Sequence, residues 1–103
     1  MTTIVVLFNL KADADVTAYE TWANTVDIPN VRRLDGCSGF NVLRVQGLLN
    51  GSPDAPYQYV ELIEIDNMDT FKAAVSTEAA QQVAAQFREY ADAPIFMVSE
   101  SVE

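Results

Sequence analysis

Two stretches of this chain are apolar on both of their alternating faces, and few folds accommodate such strands. Thr3 to Leu10 is rich in β-branched residues and almost continuously hydrophobic, which is the pattern of a strand buried on both sides. Tyr57 to Ile65 reads as the clearest strand. Tyr57, Tyr59, Glu61, Ile63 and Ile65 share one face, and Gln58, Val60, Leu62 and Glu64 take the other. A sheet built from such strands needs cover twice. Helices of the same chain can supply one cover. The second face, left bare, would exceed the apolar patch that a soluble monomer ordinarily exposes. A second copy of the chain, packed sheet to sheet, is the economical cover, and it predicts a symmetric homodimer.

The remaining segments supply the helices and two more strands. Lys11 to Asp15 is a polar connection in which Asp13 or Asp15 can cap a helix. Val16, Tyr19, Ala23 and Val26 recur at helical spacing with Trp22 beside them. That helix should falter before Pro29, because proline pushes its predecessor out of the helical region. A short second piece is expected from Pro29 to Leu34. Asp35-Gly36-Cys37-Ser38-Gly39 reads as a turn, Phe40 to Gln46 alternates as a strand, and Leu48 to Pro56 carries turn chemistry. Asp66 or Asn67 caps a helix bearing Met68, Phe71, Ala74 and Val75. After a break at Ser76-Thr77-Glu78, the stripe Ala80, Val83, Ala84, Phe87 and Tyr90 continues, and Met68, Phe71, Val83 and Phe87 read as core. Ile95 to Ser101 is the last strand. The order strand, helix, strand, strand, helix, strand is that of an α+β, ferredoxin-like βαββαβ domain with a four-stranded antiparallel sheet, spanning residues 1–103 as one unit.

Charge and composition narrow the function. With 15 acidic and 6 basic residues the net charge is −9. This disfavours nucleic acid, whose binding is driven by neutralising phosphates, and it equally disfavours anionic membrane surfaces. There is no histidine, so proton transfer falls to carboxylates, tyrosines, lysines or the single Cys37. One cysteine and no histidine leave too few of the usual ligands for zinc, haem or iron–sulfur sites. The four glycines are scattered and form no phosphate loop. No metal and no cofactor are expected. The first residues lack the basic start of a signal peptide, and their apolar run is too short to span a bilayer, so a cytoplasmic protein is expected.

Several residues then qualify for chemistry. Asp27 lies two residues before Pro29 and close to Trp22. It reads either as a helix cap or as a general acid or base whose pKa is raised by an apolar pocket. Glu61 is a charge in mid-strand, costly unless paired or used. Arg44 on the neighbouring strand could pair with it, a contact of about 0.2–1 kcal/mol, or the two could serve a pocket. Tyr57, Tyr59 and Tyr19 could orient an aromatic ligand or donate to a developing oxyanion. Trp22 could wall the pocket, and Asn9 could bind a polar group. Each of these also has an ordinary packing or turn role. Cys37 has no base to activate it.

Several blocks, in this order and spacing, resemble a known family: Phe8-Asn9-Leu10-Lys11, Tyr19-Glu20-Thr21-Trp22-Ala23, Val26-Asp27-Ile28-Pro29, Ala55 to Glu61 with Ile63-Glu64-Ile65, and Phe87 through Phe96. They are similar to the RedY-like (HapK) proteins of prodiginine and related pigment clusters, within the dimeric α+β barrel superfamily. The resemblance implies a homodimer with a pocket between the sheet and the first helix. It also implies cofactor-independent condensation, cyclisation or elimination on a small aromatic or heteroaromatic intermediate of pyrrole or indole type. On that reading Asp27 moves a proton, Trp22 and a tyrosine hold the ring, and Glu61 or Asn9 orients the polar end. There is a more distant likeness to EthD-type proteins, which tend to carry a histidine near a proline after the first helix. Asp27 stands there instead, so a histidine mechanism does not transfer. The alternatives are a non-catalytic small-molecule-binding barrel and a cofactor-free monooxygenase.

Overall fold

In the computed structural model, which describes residues 1–103, the apolar alternation is realised in four strands: β1 (Thr2–Leu10), β2 (Cys37–Arg44), β3 (Tyr59–Ile65) and β4 (Ala91–Glu100). They form one antiparallel sheet in the order β2-β3-β1-β4. This is the expected ferredoxin-like arrangement. The register sets residues in transverse rows. On one face lie Val42–Glu61–Val6–Phe96 and Phe40–Ile63–Ile4–Val98, with Arg44–Tyr59–Phe8 at one end. On the other lie Leu43–Val60–Leu7–Ile95 and Asn41–Leu62–Val5–Met97.

Helices cover only the first face. β3 alternates buried and half-buried residues along its length, with Tyr59, Glu61, Ile63 and Ile65 on the buried side. The opposite face has no cover within the chain, and Leu43, Ile95 and Met97 are 47%, 41% and 42% exposed there. Its two central rows are apolar apart from Asn41 at the β2 edge, and the row of Thr3, Glu64 and Ser99 is polar.

The first helical segment does not break before Pro29. It runs as α1 (Val16–Trp22), a wider π turn (Ala23–Asp27) and α2 (Ile28–Arg32). The Ile28 N–H donates to the Ala23 carbonyl, five residues back. Pro29 has no N–H and its ring crowds the carbonyl four residues earlier; the wider turn absorbs that misfit. Tyr19, Ala23 and Asp27 form the buried stripe, whereas Val16, expected on it, is exposed. Asp15 caps α1 by accepting from the Ala18 N–H at 2.9 Å. The second helical segment divides into α3 (Met68–Val75), capped by Asn67, and α4 (Glu78–Tyr90), capped by Thr77.

The starts of β2, β3 and β4 differ by two residues or more from the sequence reading. β2 starts at Cys37 rather than Phe40, since the tight turn is confined to Asp35-Gly36. β3 starts at Tyr59, because Tyr57 and Gln58 close the preceding loop. β4 starts at Ala91, directly after α4, and passes Pro94 without ending. An edge strand tolerates proline, and a register shift opposite Leu7–Asn9 accommodates the kink, with Ala93 at φ +45°.

Gly36 ties these layers together. Its carbonyl accepts from the Asp66 N–H at 2.9 Å. At φ +87° a Cβ there would meet the Asn67 carbonyl oxygen at 2.5 Å and the Phe71 nitrogen at 2.6 Å. Gly51 has φ +95° but open space around it. Gly51→Ala should therefore cost about 1 kcal/mol from backbone conformation alone. Gly36→Ala should cost a further 1–3 kcal/mol or so by forcing β2 away from α3. Urea unfolding of the two variants checks this; equal losses would contradict the close approach.

Candidate functional site

Phe8, Tyr19, Tyr59 and Phe87 gather at one end of the covered face, while Phe40 lies in the row at the other. Phe8 is fully buried, with ring centroids 5.4 Å from Tyr59, 5.8 Å from Tyr19 and 5.0 Å from Phe87. Towards the Ile4–Ile63 end, the α3 and α4 side chains facing the sheet are mostly small. Ala80, Ala84, Val75 and Val83 leave space, and an apolar cavity of about 470 Å³ opens between α2, α3, α4 and the sheet. Its size is that of a small-molecule site. Phe71, Phe87 and Phe96 contribute rings to its wall. Phe71 and Phe87 are buried in the core, as expected, and together with Val83 they also line the cavity. The alanine-rich face of α4 is the signal of that space in the sequence.

Asp27 and Glu61 both line this cavity, though they come from different elements. The π turn directs Asp27 inward, and the strand register directs Glu61 to the same side. They are 5% and 4% exposed. The expected Arg44–Glu61 pair does not form. The antiparallel register sets Val42 opposite Glu61 and Arg44 opposite Tyr59, and Arg44 reaches α1 instead, where its Nε donates to Glu20 Oε2 at 2.7 Å. Glu61 therefore has no cationic partner, and its Oε2 has no hydrogen-bond partner at all.

Burial without compensation raises both acids. Desolvation pushes Asp27 from 3.8 up to about 6. Desolvation, and then the negative charge of Asp27, push Glu61 from 4.5 up to about 8. Near neutral pH the pair consequently holds one carboxylate and one carboxyl, a base and an acid side by side in an apolar chamber. The Tyr19 hydroxyl is buried and has no partner; burial, then the charges of Glu61 and Asp27, raise its pKa, so it remains an O–H donor behind the pair. No group of three or more Cys, Asp or Glu side chains converges in a way that could hold a metal ion. Cys37 is half-buried, and burial raises its thiol pKa.

The other candidates lie off the cavity wall. Tyr59 donates its hydroxyl to Glu20 Oε2 at 2.7 Å, and with Arg44 this holds the Glu20 carboxyl down at about 2. The Trp22 indole N–H donates to Gln86 Oε1 at 2.6 Å and joins α1 to α4. The Asn9 amide donates to the Pro56 carbonyl at 3.1 Å and its oxygen accepts from the Gln58 N–H at 2.9 Å. It thereby clamps the loop before β3 that contains Tyr57. The site is thus the Asp27–Glu61 pair and an apolar wall that includes none of Asn9, Tyr19, Trp22, Arg44, Tyr57 or Tyr59.

The two raised acids bind protons more tightly in the folded chain than in the unfolded one. Their contribution to stability is complete below 3.8 and 4.5 and is lost as pH rises through about 6 and then about 8. Glu20 has the opposite sign, but its window closes below pH 5. Stability should thus fall between pH 5 and pH 9, and Glu61→Gln should remove most of the upper part of that slope. Urea midpoints at pH 5, 7 and 9 measure it; an unchanged slope in Glu61→Gln would show that Glu61 is not a buried acid.

The model of the family described as "REDY-like protein HapK" matches residues 2–102. No curated protein sequence gives a significant match. Among solved structures, HapK from Hahella chejuensis is 28% identical, with a TM-score of 0.80, over 99% of this chain and 93% of that one. SnoaB from Streptomyces nogalater, described as a cofactor-independent oxygenase, is 17% identical, with a TM-score of 0.75, over 99% and 93%. A dimeric ferredoxin-like protein of unknown function from Bacteroides fragilis is 16% identical, with a TM-score of 0.69, over 97% and 95%. The last two likenesses show the fold alone.

Proposed function

The chain belongs to the REDY-like HapK family, and from that premise we propose that it is a cofactor-independent enzyme of natural-product biosynthesis. Its reaction is a condensation, cyclisation or elimination on a small heteroaromatic intermediate of indole or pyrrole type. The observation that carries the reading is the buried Asp27–Glu61 pair facing an apolar cavity of small-molecule size. Ring closure and elimination both need one proton removed and another delivered. Asp27, ionised near neutral pH, takes the proton from carbon or nitrogen; Glu61, still protonated, gives one to the leaving or accepting atom. Phe71, Phe87 and Phe96 hold the ring, a task that the sequence had assigned to Trp22 and a tyrosine.

The uncovered sheet face is assigned to a second copy of the chain, and relatives of this fold are described as dimeric. A homodimer buries the rows Leu43–Val60–Leu7–Ile95 and Asn41–Leu62–Val5–Met97 of both copies at once. Sedimentation should give twice the mass of one chain. Leu43→Asp, which places two charges in a symmetric interface, should shift the protein to monomer while its circular dichroism stays unchanged. A wild-type monomer would remove the second copy from the reading.

Activity is tested by incubating the protein with indole and pyrrole aldehydes and imines and following products by mass spectrometry, with and without oxygen. Asp27→Asn and Glu61→Gln should each lower turnover by about 100-fold or more. The wild-type rate should be bell-shaped in pH, between about 6 and about 8. Wild-type turnover in Asp27→Asn removes Asp27 from the mechanism. An oxygen-dependent gain of one oxygen atom selects a cofactor-free monooxygenase, and binding without turnover selects a sequestering barrel.

A further inference from the structure

The most deeply enclosed polar side chains of the cavity are both acids. Glu61 and Asp27 are 4% and 5% exposed, and the charge of Asp27 acts on Glu61, so the two stand close together. Asp27 caps no helix N–H, and neither acid has an ion-pair partner. Glu61 Oε2 has no hydrogen-bond partner either. The chain's six cations are placed elsewhere. Arg44 is held by Glu20 and Arg32 by the Phe40 carbonyl, and Lys11 and Lys72 do not border the cavity. Arg33 and Arg88 border it but are exposed, at opposite ends of the sheet: α2 leads into the Cys37 end of β2, and α4 into the Ala91 end of β4. β1, α3 and β4 bring no charged side chain to the lining. From α1 the buried Tyr19 hydroxyl stands behind the pair, itself without a partner. A carboxylate in an apolar enclosure is costly without a cation, and two carboxyl groups border this one.

We infer that the cavity takes a small aromatic ligand whose nitrogen is protonated, an ammonium or iminium group, and that this cation seats against Asp27 and Glu61. Such a group supplies the counter-charge that the pair lacks, and its N–H donors give Glu61 Oε2 a partner. Hydrogen bonds between ionised partners are the stronger kind, and the apolar wall strengthens them by excluding water. The aromatic body lies against Phe71, Phe87 and Phe96. Binding is coupled to a proton. Near neutral pH Asp27 is the carboxylate and Glu61 the carboxyl; the arriving positive charge favours the ionised form of Glu61, whose proton leaves to solvent as the ion pair forms. The inference rests on the reading of the cavity as a ligand site and adds the ligand's charge and the place of its nitrogen.

Two probes of the same shape test it: 1-naphthylmethylamine, an ammonium at neutral pH, and the uncharged 1-naphthylmethanol, each titrated calorimetrically into the full-length protein. At pH 8 the ammonium should bind about tenfold more tightly than the alcohol. Its advantage should shrink towards pH 6, where the pair holds more protons. Near neutral pH its binding heat should change with the ionisation heat of the buffer, reporting proton release, whereas that of the alcohol should not. A chain of net charge −9 attracts cations over its whole surface, but that attraction is screened by salt and a buried contact is screened much less; the advantage should therefore persist in high salt. Asp27→Asn/Glu61→Gln should bring the ammonium down to the affinity of the alcohol, with alcohol binding retained as the sign of an intact cavity. Where the variant loses the alcohol too, the proton release and pH dependence of the wild type decide. Equal affinity of the two probes at pH 8, or an advantage that survives in the variant or vanishes in salt, overturns the cationic ligand and leaves the proposed enzyme to be judged by turnover. Failure of both probes to bind the wild type at millimolar concentration overturns the cavity as an aromatic site, and this inference with it.

Discussion

The packing of Phe8 governs the rest of the molecule. Its ring is enclosed by Tyr19, Tyr59 and Phe87, which fills one end of the covered sheet face. The helices are rigid rods anchored at that end. Where their side chains shrink to alanine and valine at the other end, they cannot settle onto the sheet, and the gap persists as a cavity. Glu61 sits one row along from Tyr59, at the border between the filled end and the empty one. A carboxyl there is shielded from water by the aromatic cluster yet has space in front of it. The core and the site are therefore one arrangement, dense at one end and open at the other.

The same arrangement gives the two acids their chemistry. A buried carboxylate is costly, and proteins ordinarily pair it with a cation. Here the nearest strand cation, Arg44, is drawn off by Glu20, which also accepts from Tyr59. Glu20 is held down to about 2 and Glu61 is pushed up to about 8, although they are the same residue type in one small domain. Asp27 lies between them in strength, because it is buried but is not opposed by a charge of its own size. In a chain without histidine, this spread of environments gives the proposed mechanism a carboxyl and a carboxylate near neutrality.

The two faces of the sheet divide the labour. One carries the cavity and its acids; the other carries rows of apolar side chains that nothing in the chain covers. The chain belongs to the HapK family and shares its fold with SnoaB and with ferredoxin-like proteins described as dimeric, and a shared fold leaves the chemistry to the residues of the site. The proposed chemistry here depends on that lining.

The order of elements, the helix caps to within a residue pair each (Asp13 or Asp15, Asp66 or Asn67), and the two-sided strands were legible in the sequence, because each follows from periodicity and local capping over a few residues. So was the suspicion that fell on Asp27 and Glu61, since an acid beside aromatics and an acid in mid-strand each violate a local rule. What surrounds them was not legible. Arg44 and Glu61 lie on adjacent strands, and only the register reveals that they are offset by one row. The π turn depends on how Pro29 is absorbed, and an alanine stripe reads the same over a filled core as over a cavity. The sequence by itself determined which faces are apolar and which residues are out of place. Only the tertiary structure decided where space remains and which charges go unpaired, because both depend on distances between elements that the sequence places far apart.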